Sequence, residues 1–211
     1  GKKLGFEDTR GTLFFEYARA LKEIQPKVFI AENVKGLLSH NGGKTLQSML
    51  EILDELGYYV YKPEVLKAIY YKVPQKRERL FIVGVRKDLN LDLTSIYELL
   101  SKEKASVKQT VKAAFNLVSE EFKRIDPHSV PRNVNERDRQ LFYDWIDLNM
   151  NRSSTRDKLE FYSQRTGKES NHVKYRNLEW DAQSPTIVAH LKKDGLMFIH
   201  PDKDLKRSIT V

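Results

Sequence analysis

The chain has 211 residues, no cysteine, and 37 Lys and Arg against 29 Asp and Glu, for a formal net charge of +8 at pH 7. That length is ample for a hydrophobic core, and the lack of cysteine removes disulfides, thiolate metal sites and any cysteine nucleophile from these residues. No stretch of about 18 apolar residues offers a membrane span, the first residues do not resemble a secretion signal, and the basic excess favours a polyanionic partner such as nucleic acid.

Gly1 to Thr9 is polar and reads as a loop, with Lys2, Lys3 and Arg10 as cations available to phosphate. From Thr9 to Ile24, Leu13, Tyr17, Ala20, Leu21 and Ile24 recur at spacings of three and four. That period predicts a helix, with Thr9 as its cap and Pro26 as its stop. Lys27-Val28-Phe29-Ile30-Ala31-Glu32-Asn33-Val34 comes next. Such an uninterrupted apolar run predicts a strand buried on both faces, usual in a parallel sheet covered by helices; helix followed by strand is half of a βαβ unit. Glu32 then stands at the strand end, the edge where ligands bind in open α/β sheets. A carboxylate there, incompletely buried but in reduced dielectric, is suited to giving up a proton; the plain alternative is an acidic residue ending a strand in solvent.

Lys35 to Gly43 reads as a loop with an Asn41-Gly42-Gly43 turn, and Thr45 to Leu56 as a second helix stopped by Gly57. Tyr58 to Lys67 is β-rich, with Pro63 marking an edge strand or a bulge. After a connector come Gln75-Lys76-Arg77-Glu78-Arg79 and the apolar run Leu80 to Val85, another strand. In an extended chain Gln75, Arg77 and Arg79 share one face. Two guanidiniums there suit phosphate oxygens, a base-edge carbonyl or Glu32, or else form a solvated entrance to the strand.

From Asn90 the texture changes. Helical patterns cover 106–124 and 135–149, broken by Asp126-Pro127 and Pro131. Asn149 to His172 is polar and reads as loops, and residues 151–193 hold nine Lys or Arg against five Asp or Glu. That stretch suits a nucleic-acid backbone, or is a surface insertion. Ser184 to Ala189 and Leu196 to Ile199 resume strand patterns. Trp145 and Trp180 read as core or anchoring residues, the five scattered histidines make no zinc site, and His200-Pro201 reads as structural.

Taken in order and spacing, Asp8-x-Arg10-Gly11-x-Leu13-Phe14, Glu32-Asn33-Val34 and Gln75-x-Arg77-x-Arg79 resemble the DNA cytosine-5 methyltransferases, above all the bacterial restriction–modification type. The resemblance is dense over 1–89 and returns from Arg176 to Val211, with Pro185-Thr186-Ile187 and Ile199-His200-Pro201. It implies an α/β fold: part of a Rossmann-like methyltransferase sheet plus a small irregular target-recognition domain. Residues 1–89 would be the second half of the catalytic domain, 90–175 the variable target-recognition region, and 176–211 small-domain strands leading back to the catalytic domain.

The implied reaction transfers a methyl group from S-adenosylmethionine to C5 of a cytosine flipped out of double-stranded DNA, in the bacterial cytoplasm. In this family a cysteine thiolate attacks C6 while a glutamic acid assists at N3. Glu32 matches that acid and Arg79 the arginine directed at the flipped base; Arg77 would organise the same pocket. Asn33 would hold the active-site backbone, and Gln75 lies with the DNA-binding residues. Lys2 and Arg10 resemble phosphate contacts from a mobile active-site loop, Thr186 a phosphate contact in the small domain, and Leu13 a residue packed on the cofactor.

The departures are equally specific. The family's Pro-Cys-Gln motif, its glycine-rich cofactor motif and its last block are not among these residues, and Lys72 stands where the family usually has glycine before Val73-Pro74-Gln75. The expectation is therefore the middle piece of a methyltransferase, inactive alone, partnered by DNA and by the N-terminal half of the same enzyme or a complementing subunit. A non-catalytic DNA-recognition subunit of a split methyltransferase and an RNA cytosine-5 methyltransferase are the other readings.

Overall fold

A computed structural model describes residues 9–91, 95–118, 133–188 and 197–209. The chain divides into two units, Gly1–Tyr71 with Arg77–Ser106, and Lys72–Lys76 with Val107–Val211. The first holds α1 (Thr9–Ile24), β1 (Val28–Val34), α2 (Lys44–Glu55), β2 (Tyr58–Val60), β3 (Glu64–Lys67), β4 (Glu78–Arg86) and α3 (Ser95–Lys102). Both early helices lie where the apolar period puts them. Gln25 leaves α1 in the left-handed region (φ +50°), its amide donating to the Leu21 carbonyl, and Pro26 cannot continue the helix. Gly57 (φ +89°) ends α2.

β4 lies in the middle of the sheet. It pairs antiparallel with β1 along seven residues, from Val28 opposite Val85 to Val34 opposite Arg79, and with β2 and β3 on its other side. Pro63 thus separates two short strands. The parallel pairing expected around β1 is not what these strands form. Nor is β1 buried on both faces: Phe29 is buried, but Ile30 is 60% and Val34 55% exposed. A continuous apolar run reports that both faces are hydrophobic. It does not report what lies against them or which way the neighbour runs, and here the chain reverses between β3 and β4.

One face of this sheet carries the core. Leu21 of α1, Leu37, and Met49 and Leu53 of α2 pack with Phe29, Tyr58, Leu80 and Ile82. Each such side chain contributes about 1.5–3 kcal/mol by leaving water. The Phe29 ring stands edge-on to Tyr58, centroids 5.1 Å apart, and occupies the space over its cross-strand neighbour Gly84, where a Cβ would overlap it. Gly84 is therefore needed for close approach rather than for a turn. Gly84→Ala is expected to cost about 1–3 kcal/mol through overpacking, read as a lower denaturation midpoint. An unchanged midpoint would mean that the ring moves aside freely.

The second unit contains α4 (Val111–Asn116), α5 (Glu136–Asp147), α6 (Thr155–Thr166) and a short parallel pair, β5 (Arg176–Asn177) with β6 (Phe198–Ile199). α4 and α5 fall within the two expected helical patterns; residues 119–132 lie outside the described ones. The loops expected from 149 to 172 contain α6, and α3 likewise forms where no helix was expected. The signal for α6 is a capping box: Ser154 Oγ accepts the Asp157 amide at 3.1 Å and the Asp157 carboxylate accepts the Ser154 amide at 3.3 Å. The strand expected at Ser184–Ala189 reduces to one bridge between Ser184 and Gln75, followed by irregular chain to residue 188; Ala189 lies outside the described residues. Pro185 has no amide to offer a ladder.

Trp145 is buried with Phe142, Phe161 and Tyr175, and its Nε1 donates to Asn177 Oδ1 at 2.9 Å. Trp180 and Phe115 meet the buried His200 ring edge-on. His200 Nδ1 accepts the Asp202 amide at 3.0 Å, and burial, reinforced by Arg207, lowers its pKa below the ordinary 6.5. The unfolded chain then takes up a proton near that pH which the folded chain refuses, so stability holds above 6.5 and falls as pH drops toward the folded pKa. Urea denaturation between pH 7 and 5 should show a shallower acid loss for His200→Phe than for the parent; equal slopes would remove His200 from this role.

Candidate active site

β1 and β4 bring Glu32, Arg77 and Arg79 to one end of the first unit's sheet. Glu32 stands opposite Phe81 and Val34 opposite Arg79, so Glu32 and Arg79 are diagonal neighbours on one face. Arg77 Nη2 donates to Glu32 Oε1 at 3.1 Å, and Arg79 Nε forms an ion pair with the same oxygen at 2.9 Å. Of the partners the sequence leaves open for the two guanidiniums, the fold supplies Glu32. Arg79 is fixed further by Nη1 donating to the Glu78 carbonyl at 2.8 Å.

The carboxylate is held by charge rather than by a low-dielectric wall. Its side chain is 42% exposed, and Oε2 has no partner among the described residues. One oxygen is thus oriented while the other is left without a protein partner among the described residues. Beside it, Asn33 Oδ1 accepts the Val34 amide at 2.8 Å, bracing the strand end.

A second carboxylate is tied down at the same end of the sheet. Glu78, between the two arginines in sequence, accepts Lys35 Nζ and Lys67 Nζ at 3.0 Å each. These two ammonium groups hold its carboxyl below the usual carboxylate range. Strand alternation places it on the face opposite Glu32, so the ends of β1, β3 and β4 are tied on both faces. Only strand pairing reveals this, because Lys35 and Glu78 are 43 residues apart.

Leu13 lies on α1 with its side chain 69% exposed. Arg10 belongs to the first turn of α1, and Lys2 lies outside the described residues. Gln75 and Thr186 belong to the second unit. There the Lys76 amide donates to the Ser184 carbonyl and the Ser184 amide to the Pro74 carbonyl, both at 2.8 Å. Thr186 Oγ1 donates to the Lys76 carbonyl at 3.1 Å, which commits its only proton. Lys72, at the position of the family's glycine, adopts the left-handed region (φ +60°), a conformation that glycine takes without steric cost. The substitution therefore keeps a glycine-like turn.

Among the described residues no group of three or more His, Cys, Asp or Glu is placed to hold a metal ion. No helix among them is long and apolar enough to cross a membrane.

The family model described as C-5 cytosine-specific DNA methylase matches residues 1–211. Type II methyltransferase M.Eco47II of Escherichia coli is 70% identical over 89 residues, 42% of this chain and 21% of its own length. Type II methyltransferase M.PspPI of Psychrobacter sp. (strain TA137) is 42% identical over 214 residues, 96% of this chain and 48% of its own length. The chain thus spans about half or less of the length of these relatives. Among solved structures, a DNA modification methyltransferase encoded within an E. coli prophage aligns with a TM-score of 0.57 at 21% identity, covering 96% of this chain and 62% of that one, which supports the α/β fold. With the family model matched from end to end, this chain belongs to the C-5 cytosine-specific DNA methylase family.

Proposed function

We propose that this chain supplies the acid, the pocket arginines and the target-recognition region of a bacterial DNA cytosine-5 methyltransferase of the restriction–modification type. The observation that carries the reading is the convergence of Arg77 and Arg79 on one oxygen of Glu32 at a sheet end. In the proposed role Glu32 Oε2 faces N3 of the flipped cytosine. A proton held between them draws electron density from the ring and makes C6 more electrophilic toward a thiolate from outside these residues. Arg79 orients Glu32 and reaches toward the base, and Arg77 fixes the same oxygen from the other side. Asn33 keeps the strand end in place.

S-adenosylmethionine would be the methyl donor. Leu13 is the one residue here assigned to it, and its exposed apolar side chain suits contact with a purine face. Double-stranded DNA is the proposed substrate, with Lys2, Arg10, Gln75 and Thr186 on the DNA side; a phosphate contact by Thr186 as donor requires its bond to Lys76 to open. The remainder of the methyltransferase, in the same chain or as a complementing subunit, is the proposed protein partner, and the cytoplasm is the proposed location.

The test is co-expression of these 211 residues with the portion of M.PspPI outside its match to them, followed by analysis of duplex DNA for C5-methylcytosine. The pair is expected to methylate. The chain alone is expected to transfer nothing, since it has no thiol to activate the ring. A co-purifying pair that yields no C5-methylcytosine would overturn the proposal.

A further inference from the structure

Beside β3 lies a cleft of about 440 Å³, a size common for small-molecule sites, and every residue lining it belongs to the first unit. Glu64 and Leu66 of β3 stand opposite Phe81 and Arg79 of β4, so they share the sheet face of Glu32 and Arg79. α3 supplies Tyr97, Glu98 and Ser101, the first and last one helical turn apart. The remaining wall is Tyr70 and Tyr71. The Tyr71 amide donates to the Ala68 carbonyl at 2.9 Å, and the Ala105 amide donates to the Tyr70 carbonyl at 2.8 Å.

The Tyr97 hydroxyl donates to the Phe81 carbonyl at 3.4 Å, but the Tyr71 hydroxyl is buried with no hydrogen-bond partner among the described residues. Burial, and after it the charge of Glu64, raises the pKa of both phenols, so both rings stay neutral. Neither Glu64 nor Glu98 has a cationic partner among the described residues. Lys67 is committed to Glu78 at 3.0 Å, and the Lys104 ammonium reaches the Ser101 hydroxyl at 3.4 Å. The cleft is left with two carboxylates against one ammonium group.

That combination selects its occupant. Tyrosine faces are negative and attract ammonium groups, and a buried hydroxyl without a partner gains from an arriving N–H. A phosphate would meet two carboxylates. A hard metal ion needs more oxygen ligands than these, and no group of three or more His, Cys, Asp or Glu is placed to hold one among the described residues. We propose that this cleft binds a primary alkylammonium ion, its N–H groups donating to Glu64 and the Tyr71 hydroxyl and its carbon chain lying against the tyrosine rings. Glu98 adds negative charge at the rim. The chain as a whole carries a formal net charge of +8, which opposes diffuse attraction of a cation, so binding reports the cleft itself.

The experiment is titration of the 211-residue chain with putrescine, a linear diamine, at constant ionic strength, followed by calorimetry and by the tyrosine ring resonances. Saturable binding that shifts Tyr70, Tyr71 and Tyr97 is expected. Glu64→Gln should weaken it about tenfold and Tyr71→Phe about fivefold, the latter with an unchanged or higher denaturation midpoint because the orphan hydroxyl is gone. If Tyr71→Phe lowers the midpoint instead, Glu64→Gln, at an exposed position, carries the test. Lys104→Gln removes a like charge and should tighten binding about twofold. No saturable binding, or equal affinity in the parent and Glu64→Gln, would overturn the proposal. So would displacement of putrescine by magnesium chloride at the same ionic strength, because the amine would then be a diffuse counterion.

Discussion

In the assembled methyltransferase, Glu32→Gln is expected to slow the chemical step by roughly 10²–10⁴-fold and to leave DNA affinity nearly unchanged. Glutamine fills the same space, and its carbonyl can accept from Arg77 and lie beside Arg79 as Oε1 does now. The amide nitrogen then occupies the Oε2 position, where it still donates a hydrogen bond to a ring nitrogen. What the variant cannot do is move a proton to that nitrogen as the thiolate attacks. Single-turnover methylation at saturating DNA isolates this step, and equilibrium binding supplies the control. Glu32→Ala should be slower still, because it also releases both arginines. Near-normal single-turnover rates for Glu32→Gln would return Glu32 to the role of a strand terminator.

Arg79→Ala should lower turnover by about 10²–10³-fold, the effect of removing a donor aimed at developing charge, while the salt dependence of DNA binding stays close to the parent's. The Arg79 side chain is only 21% exposed, with Nε on Glu32 and Nη1 on the Glu78 carbonyl, so it is held against the sheet end rather than free in solvent. Arg79→Lys keeps the charge but cannot reproduce both contacts, and should recover little. Arg10→Ala is expected to behave differently: weaker binding to specific and non-specific DNA alike, with the salt slope reduced by about one counterion. The measurement is affinity against salt concentration beside single-turnover rate. If Arg79→Ala mainly flattens the slope and leaves the rate intact, the pocket assignment is wrong.

The two carboxylates at the sheet end divide the work by face. Glu32 receives two arginines on one side, and Glu78 receives Lys35 and Lys67 on the other. Exposed pairs of this kind contribute little stability singly. Their effect here is geometric, fixing how the end of β1 lies against the start of β4.

Much of the first unit was legible without coordinates, because its signals are local. A period of three to four residues and a stop at Pro26 mark α1; Gly57, alone able to take φ +89° cheaply, marks the end of α2. Apolar runs mark β1 and β4, and alternation puts Arg77 and Arg79 on one face. The ordered motifs were enough to suggest the family. α6 is harder to see although its capping box is written at Ser154 and Asp157, since a polar, weakly periodic stretch carries little sign of the apolar face that packs Phe161. Other features depended on tertiary structure because they join residues distant in sequence. Glu32 and Arg77 meet across 45 residues. The antiparallel course of β4, the Lys35–Glu78–Lys67 tie and the bond from Thr186 to Lys76 depend on which backbones come side by side. The same holds for Ile30 and Val34 on β1: hydrophobicity is a property of residues, whereas exposure is a property of what the folded chain has left uncovered.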